Sequence, residues 1–146
     1  MLHYSVLLSS FLTLSAAHFH LHFPAARGDD DEEQASFPCG GYAQTQNRTA
    51  VALDSIPISM ELGHTENLIT VVLAIGNDVG DSFNTVLVPT IQEFGPGDFC
   101  WASIPVPANL SIMDGTNGTI QVITNSHDGN GLYNVSNLYS LYLCQL

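Results

Sequence analysis

Apolar and polar residues alternate with a period of two along much of the chain beyond residue 17. In 18–23, Phe19, Leu21 and Phe23 share one face and three histidines share the other, as in a half-buried strand. Shorter apolar stretches follow, separated by Gly, Asn, Asp or Pro, at 56–62, 68–75, 82–88, 99–106 and 119–124. The stretch 68–75 is rich in β-branched residues, which is typical of a central strand. The pattern predicts an all-β fold, a β-sandwich of immunoglobulin or fibronectin type III topology.

Residues 1–17 have a different pattern, in which an apolar run from Val6 to Leu14 precedes small residues at Ser15 and Ala17. This arrangement is typical of a secretory signal peptide. The apolar run is much shorter than the roughly 20 residues that a bilayer core requires. We therefore predict a signal peptide over 1–17 and a secreted mature chain without a transmembrane segment. Its first residue would be His18.

Acceptor sequences for N-glycosylation agree with export. We expect glycans at Asn47, Asn109 and Asn117, and a fourth acceptor sequence begins at Asn134. The chain has three cysteines, which we expect to form a disulfide bond outside the cell. An odd number leaves one cysteine without a partner in the same chain.

The charge of the chain limits the classes of function that it can have. Fourteen acidic residues oppose two basic ones, for a net charge of −12, so a basic surface for nucleic acid is excluded. A hydrophobic content of 45% is enough for one packed core. The acidic run 29–33 is interpreted as a solvated loop in preference to a cation-gathering surface. No glycine-rich phosphate loop follows a predicted strand, so nucleotide binding has no support.

A histidine at the N-terminus has metal-binding chemistry that an internal histidine lacks. Its free α-amine has a pKa of about 7.7–8.0 and is partly unprotonated at neutral pH. The amine and the imidazole Nδ1 of His18 can chelate one metal ion, and a second imidazole completes a T-shaped set of three nitrogens. Such donors favour Cu(II). The residues alone leave the second imidazole open among His20, His22, His64 and His127.

Other interpretations of these histidines stay open. His18, His20 and His22 have the spacing of a zinc site with three imidazoles on one strand face. Alternation favours the simpler view that His20 and His22 occupy the solvent-facing side of a strand. His64 fits a surface turn as well as a metal site, and Asp128 fits an ordinary turn aspartate.

Several segments are distinctive when they are taken in order: His18 directly after a signal peptide, 19–28, the Pro-Cys-Gly-Gly turn at 38–41, 97–100, 114–122 and 131–134. Together they resemble the fungal copper acquisition factors, secreted proteins similar to lytic polysaccharide monooxygenases (LPMOs). The resemblance covers 18–134. It implies an LPMO-like β-sandwich and one copper ion held in a histidine brace. It also implies copper acquisition or homeostasis at the cell surface rather than oxidative polysaccharide cleavage.

By position, the resemblance implies that His18 supplies the amine and one imidazole and that His64 supplies the second. It also implies a carboxylate ligand, for which we select Asp128. A carboxylate beside copper occupies a position that oxygen or peroxide needs, so we expect a carrier and not an enzyme. The alternatives are a copper-dependent LPMO and a metal-free surface glycoprotein. The expected partners are the copper ion and cell-surface copper transport machinery.

The chain departs from the resemblance after Asn134. Members of the family continue with Leu-Tyr-x-Cys-Ala-Asp and commonly run on to a lipid-anchor (GPI) signal, which places full-length relatives at the plasma membrane or cell wall. Val-Ser-Asn at 135–137 can be encoded by a splice-donor consensus, so we predict that 135–146 is translated from a retained intron. The domain 18–134 would then lack its last strand. The alternatives are a natural shorter variant with Cys144 in a bridge and the apolar end of an anchor signal.

Overall fold

The computed structural model describes residues 18–126 and 128–142. These ranges contain a short 3-10 turn at Ala108–Leu110 and eight strands: β1 (Phe19–Phe23), β2 (Thr49–Ala52), β3 (Ser55–Leu62), β4 (Glu66–Ile75), β5 (Thr85–Phe94), β6 (Gly97–Pro105), β7 (Asn117–Asn125) and β8 (Gly131–Leu141). The predicted signal peptide, the candidate ligand His127 and a bridge to Cys144 lie outside the described residues.

The strands form two sheets with one core between them. β1, β3 and β6 make an antiparallel three-stranded sheet in the order β1-β3-β6. The second sheet has the order β2-β8-β7-β4-β5, in which β2 runs parallel to β8. Inward side chains of both sheets are fully buried against one another, among them Phe19, Met60, Ile69, Ile120 and Val122. The predicted all-β sandwich is confirmed, with 68–75 in the central strand β4, whereas the immunoglobulin-like topology stays a prediction.

The alternation predicted for β1 holds only for its first part. Phe19 and Leu21 are buried, but Phe23 is 37% exposed. The register with β3 shifts between Leu21 and Phe23, since Leu21 pairs with Met60 and Phe23 pairs with Ser59. One extra residue, His22, is therefore inserted in β1, and such a bulge moves the following side chains to the other face. The prediction that Phe23 lies on the core face was wrong for this reason.

β8 crosses the boundary predicted at residue 134 without interruption. Val135 and Leu138 are 1% and 3% exposed and belong to the interior. Asn137 is buried as well; its Oδ1 accepts a hydrogen bond from Arg27 Nε at 2.9 Å, and its Nδ2 donates to Thr45 O at 3.1 Å. Residues 135–141 are therefore an internal part of the five-stranded sheet. The intron origin of 135–146 and the loss of a later strand stay predictions.

We expect Leu138→Ala to lower the free energy of unfolding by about 2–5 kcal/mol, because it removes a buried side chain and leaves a cavity. The control in the same segment is Tyr142→Ala, whose side chain is 77% exposed and whose loss should change stability by less than about 0.5 kcal/mol. Urea unfolding measures both values. Equally small effects of the two substitutions would contradict the packing of β8.

Candidate metal centre

The pairing of β1 with β3 brings two predicted ligands to one end of the three-stranded sheet. Phe19 pairs with Leu62, the last residue of β3. His18 immediately precedes Phe19, and His64 follows Leu62 by two residues. His64 is only 5% exposed, so it is not an ordinary surface histidine. The antiparallel register therefore brings His18 and His64 to the same end of the sheet.

The backbone beside His18 is held by a buried glutamine. Phe19 N donates to Gln34 Oε1 at 3.3 Å, and Gln34 Nε2 donates back to Phe19 O at 2.5 Å. Tyr133 N donates to Gln34 O at 2.8 Å, which ties the same residue to β8. Gln34 is 2% exposed, and buried amide groups are stable only when they are hydrogen-bonded in this way. The position of residue 18 is therefore fixed through its neighbour.

The acidic run 29–33 is largely exposed, as predicted for a solvated loop, but two of its carboxylates lie beside histidines. Asp29 Oδ1 lies 2.7 Å from His20 Nδ1, and Asp31 Oδ2 lies 3.5 Å from His18 Nδ1. The second contact has the distance of an ion pair but not the geometry of a hydrogen bond. His18 Nδ1 and Asp31 Oδ1 are both buried and have no hydrogen-bond partner in the described part of the chain. Such groups are costly to bury unless a ligand satisfies them.

The contact with Asp29 changes the acid–base behaviour of His20. The hydrogen bond to Asp29 raises the pKa of His20 above its ordinary value of 6.5. Partial burial opposes the rise, while the charges of Asp29, Asp31 and Glu61 add to it. Because the pKa is raised on folding, the pair stabilises the protein fully below about pH 6.5, and this contribution is lost as pH rises through the folded-state pKa.

Asp128 lies in the turn between β7 and β8. It accepts hydrogen bonds from Ser126 Oγ, from Asn130 N at 3.2 Å and from Asn130 Nδ2 at 2.7 Å. These hydrogen bonds lower the pKa of the Asp128 carboxyl below its ordinary value, and the bond from Ser126 has the largest effect. Its hydrogen bonds to described residues thus stay within its own turn, as in an ordinary turn aspartate.

The turn that carries Asp128 lies at the same end of the sandwich as the two histidines. Asn125 Oδ1 accepts a hydrogen bond from Leu68 N at 2.7 Å, which holds the end of β7 beside the start of β4. β4 begins two residues after His64. Even so, the ligand atoms of His18, His64 and Asp128 do not all lie within 4.8 Å of one another among the described residues. The assignment of this trio stays a prediction.

His18 and the two histidines of β1, His20 and His22, do not converge into the alternative zinc site. His18 and His20 face Asp31 and Asp29, and His22 Nε2 lies 3.9 Å from Glu61 Oε2. Each imidazole therefore has a different carboxylate neighbour. Within residues 18–126 and 128–142, the one group of three candidate ligands whose atoms lie within 4.8 Å of one another contains a single histidine: His22, Glu61 and Asp98.

Arg27 and the Pro-Cys-Gly-Gly turn at 38–41 have a structural function. Arg27 Nη1 donates to Cys39 Sγ at 3.4 Å, while Arg27 Nη2 donates to Thr119 Oγ1 at 3.2 Å on β7. Burial raises the pKa of the Cys39 thiol, and Arg27 opposes this rise. Cys39 and Cys100 are free cysteines in the described chain, so they do not pair with each other. Oxidation to a disulfide bond stays a prediction.

The predicted glycosylation sites differ in accessibility. Asn47 and Asn109 are exposed. Asn117 is half-buried, and its Nδ2 donates to Asn77 Oδ1 at 2.7 Å. Asn134 is only 3% exposed, which agrees with leaving it out of the predicted set. Glycans at Asn47, Asn109 and Asn117 stay predictions.

The β-sandwich with candidate histidine ligands at one end agrees with the known proteins that this chain resembles. The family described as copper acquisition factor BIM1-like matches residues 16–145. An uncharacterised protein of Aspergillus fumigatus is 41% identical in an alignment that covers 86% of this chain and 54% of that protein. The LPMO-like protein X325 of Yarrowia lipolytica is 35% identical in an alignment that covers 87% of this chain and 50% of that protein.

The copper acquisition factor BIM1 of Cryptococcus neoformans is 31% identical in an alignment that covers 92% of this chain and 65% of that protein. The chain belongs to the BIM1-like copper acquisition factor family. It spans about half the length of the first two relatives. The family and its LPMO-like members support a role related to copper. No helix among the described residues is long and apolar enough to cross a membrane.

We expect Asp29→Asn to lower the pKa of His20 toward 6.5, because the substitution removes the hydrogen bond that favours the imidazolium. NMR titration of the His20 ring protons measures the pKa. Asp30→Asn is the matched control, since Asp30 Oδ1 accepts its hydrogen bond from Glu32 N instead. An unchanged His20 pKa in Asp29→Asn would contradict the contact between the acidic run and β1.

Proposed function

We propose that the exported chain, beginning at His18, binds one copper(II) ion as cargo for copper acquisition at the cell surface. The α-amine and imidazole of His18 and the imidazole of His64 are the proposed nitrogen ligands. The observation that supports this most is the register of β1 on β3, which brings the two histidines to one sheet end with His64 buried. The family name supports copper as the ion.

The chemistry of the proposed ligands suits a copper carrier. Imidazole and amine nitrogens favour Cu(II), the divalent first-row ion with the highest general affinity. His18 Nδ1 makes no hydrogen bond to the described residues, so binding a metal there would break none of them. The hydrogen bonds of Gln34 to Phe19 hold the backbone next to His18, which reduces the conformational entropy lost on binding.

Two carboxylates are candidates for completing the site. Asp128 is the one implied by the family resemblance, and three hydrogen bonds already occupy its oxygens. Asp31 lies 3.5 Å from His18 Nδ1, and its Oδ1 is buried without a hydrogen-bond partner among the described residues. We therefore assign the larger contribution to Asp31. A carboxylate at this position also opposes oxygen binding, which supports a carrier over an enzyme.

Copper transport machinery of the cell surface is the proposed acceptor of the ion. The alternative function is that of a copper-dependent LPMO, which is supported by relatives named LPMO-like. A non-metal surface glycoprotein is the other alternative. These two alternatives and the carrier predict different results in measurements on the purified mature chain.

We expect one glycine added before His18 to weaken Cu(II) binding at least about tenfold, which corresponds to about 1.4 kcal/mol, because the free amine is moved off the histidine. His64→Ala should cause a comparable loss. Calorimetric titration gives the affinity, and electron paramagnetic resonance reports the nitrogen ligands. His20→Ala is the matched control, since His20 lies on the same strand and is hydrogen-bonded to Asp29.

Two results would contradict this function. Copper affinity that is unchanged by both the added glycine and His64→Ala would exclude the histidine pair and favour the non-metal glycoprotein. Oxidised oligosaccharides, formed from a polysaccharide with the copper-loaded chain and a reductant, would favour the monooxygenase.

A comparison of Asp31→Asn with Asp128→Asn tests which carboxylate contributes. We expect Asp31→Asn to weaken Cu(II) binding about tenfold and Asp128→Asn to weaken it less, because the Asp128 oxygens already serve its turn. The two variants carry the same charge, so long-range attraction of the cation falls equally. The reverse order of affinities would assign the carboxylate to Asp128.

A further inference from the structure

A second group of ligand-type side chains lies on the outer face of the three-stranded sheet. It contains one residue from each strand, His22 of β1, Glu61 of β3 and Asp98 of β6, and all three are exposed. One ligand atom of each lies within 4.8 Å of the others. The closest measured approach to the imidazole is from Glu61 Oε2 to His22 Nε2, at 3.9 Å.

The strand pairing explains why these residues meet. Glu61 pairs directly with Asp98 across β3 and β6, while His20 pairs with Glu61 from the other side. The bulge between Leu21 and Phe23 makes His22 the inserted residue of β1. Bulges redirect side chains and are common beside functional sites. Here the bulge leaves His22 close to the two carboxylates, where a regular ladder would place it opposite Ser59.

A positive partner would stabilise the two carboxylates. Like charges on directly paired positions of neighbouring strands destabilise a sheet. Glu61 and Asp98 have this arrangement, and both are within reach of a single imidazole. A divalent cation between them would replace repulsion with attraction, and the net charge of −12 raises the local concentration of cations.

We propose that His22, Glu61 and Asp98 form a second cation site that binds a divalent first-row transition ion such as zinc. Imidazole nitrogen and carboxylate oxygen are both ligands that zinc takes in proteins, and water can fill the remaining position. The imidazole disfavours magnesium and calcium, which prefer oxygen ligands. The site does not rest on the proposed copper function.

The second site is separate from the candidate copper centre. His22 lies four residues beyond His18, and a strand of this length spans about 13 Å. His20, which is hydrogen-bonded to Asp29, lies between them on the strand. One ion therefore cannot contact both His18 and His22, and the two sites should fill as two separate equivalents.

The test uses the mature chain with one glycine added before His18, which removes the free amine of His18 from the proposed copper centre. Calorimetric titration with Zn²⁺ should then show one bound ion per chain. The double variant Glu61→Gln/Asp98→Asn should weaken this binding at least about tenfold, as should His22→Gln alone. The control Asp81→Asn/Glu93→Gln removes the same two charges elsewhere and should keep the affinity of the parent. Urea unfolding checks that each variant is folded.

Three outcomes would overturn the proposal. These are no zinc binding to the glycine-extended chain, equal losses in the site variant and the control variant, and unchanged binding in His22→Gln. Equal losses would mean that the overall negative charge of the chain, and not this site, attracts the ion. The proposed copper function has its own test, the copper titration of the chain that begins at His18. A negative result there would not overturn the second site.

Discussion

The packing of β1 against β3 is the interaction on which the candidate metal centre depends. Phe19 and Leu21 are buried in the core, and Gln34 binds the backbone of Phe19 through both its N–H and its carbonyl. A slip of one residue would turn both apolar side chains to solvent and break these bonds, so the register is strongly specified. With that register, His18 has one position, at the sheet end where β3 leads into His64.

The acidic residues have more specific contacts than their composition indicates. A net charge of −12 would ordinarily be explained by solubility alone. In the structure, each of the histidines 18, 20 and 22 instead has a carboxylate beside it, from Asp31, Asp29 and Glu61 respectively. We propose that these imidazoles and carboxylates bind cations at two places, the candidate copper centre just before β1 and the second site at its bulge.

Local patterns predicted the parts of the fold that local sequence controls. Alternation identified the start of β1, and the β-branched run 68–75 identified β4. The features that were missed depend on contacts between distant segments. The bulge at His22 arises only from pairing with β3, and nothing in the acidic stretch marks Gln34 as a buried residue. The histidine pair could be predicted from the family resemblance, whereas the position of Asp31 beside His18 could be found only from the folded structure.

The most direct test of the central claim is a crystal structure of the mature chain loaded with one equivalent of copper, with the ion located by its anomalous scattering. We expect the polypeptide to begin at His18. The strongest copper peak should be bonded to the His18 amine, to its Nδ1 and to an imidazole nitrogen of His64. A copper peak that contacts neither histidine, in a chain that begins at His18, would contradict the proposed centre.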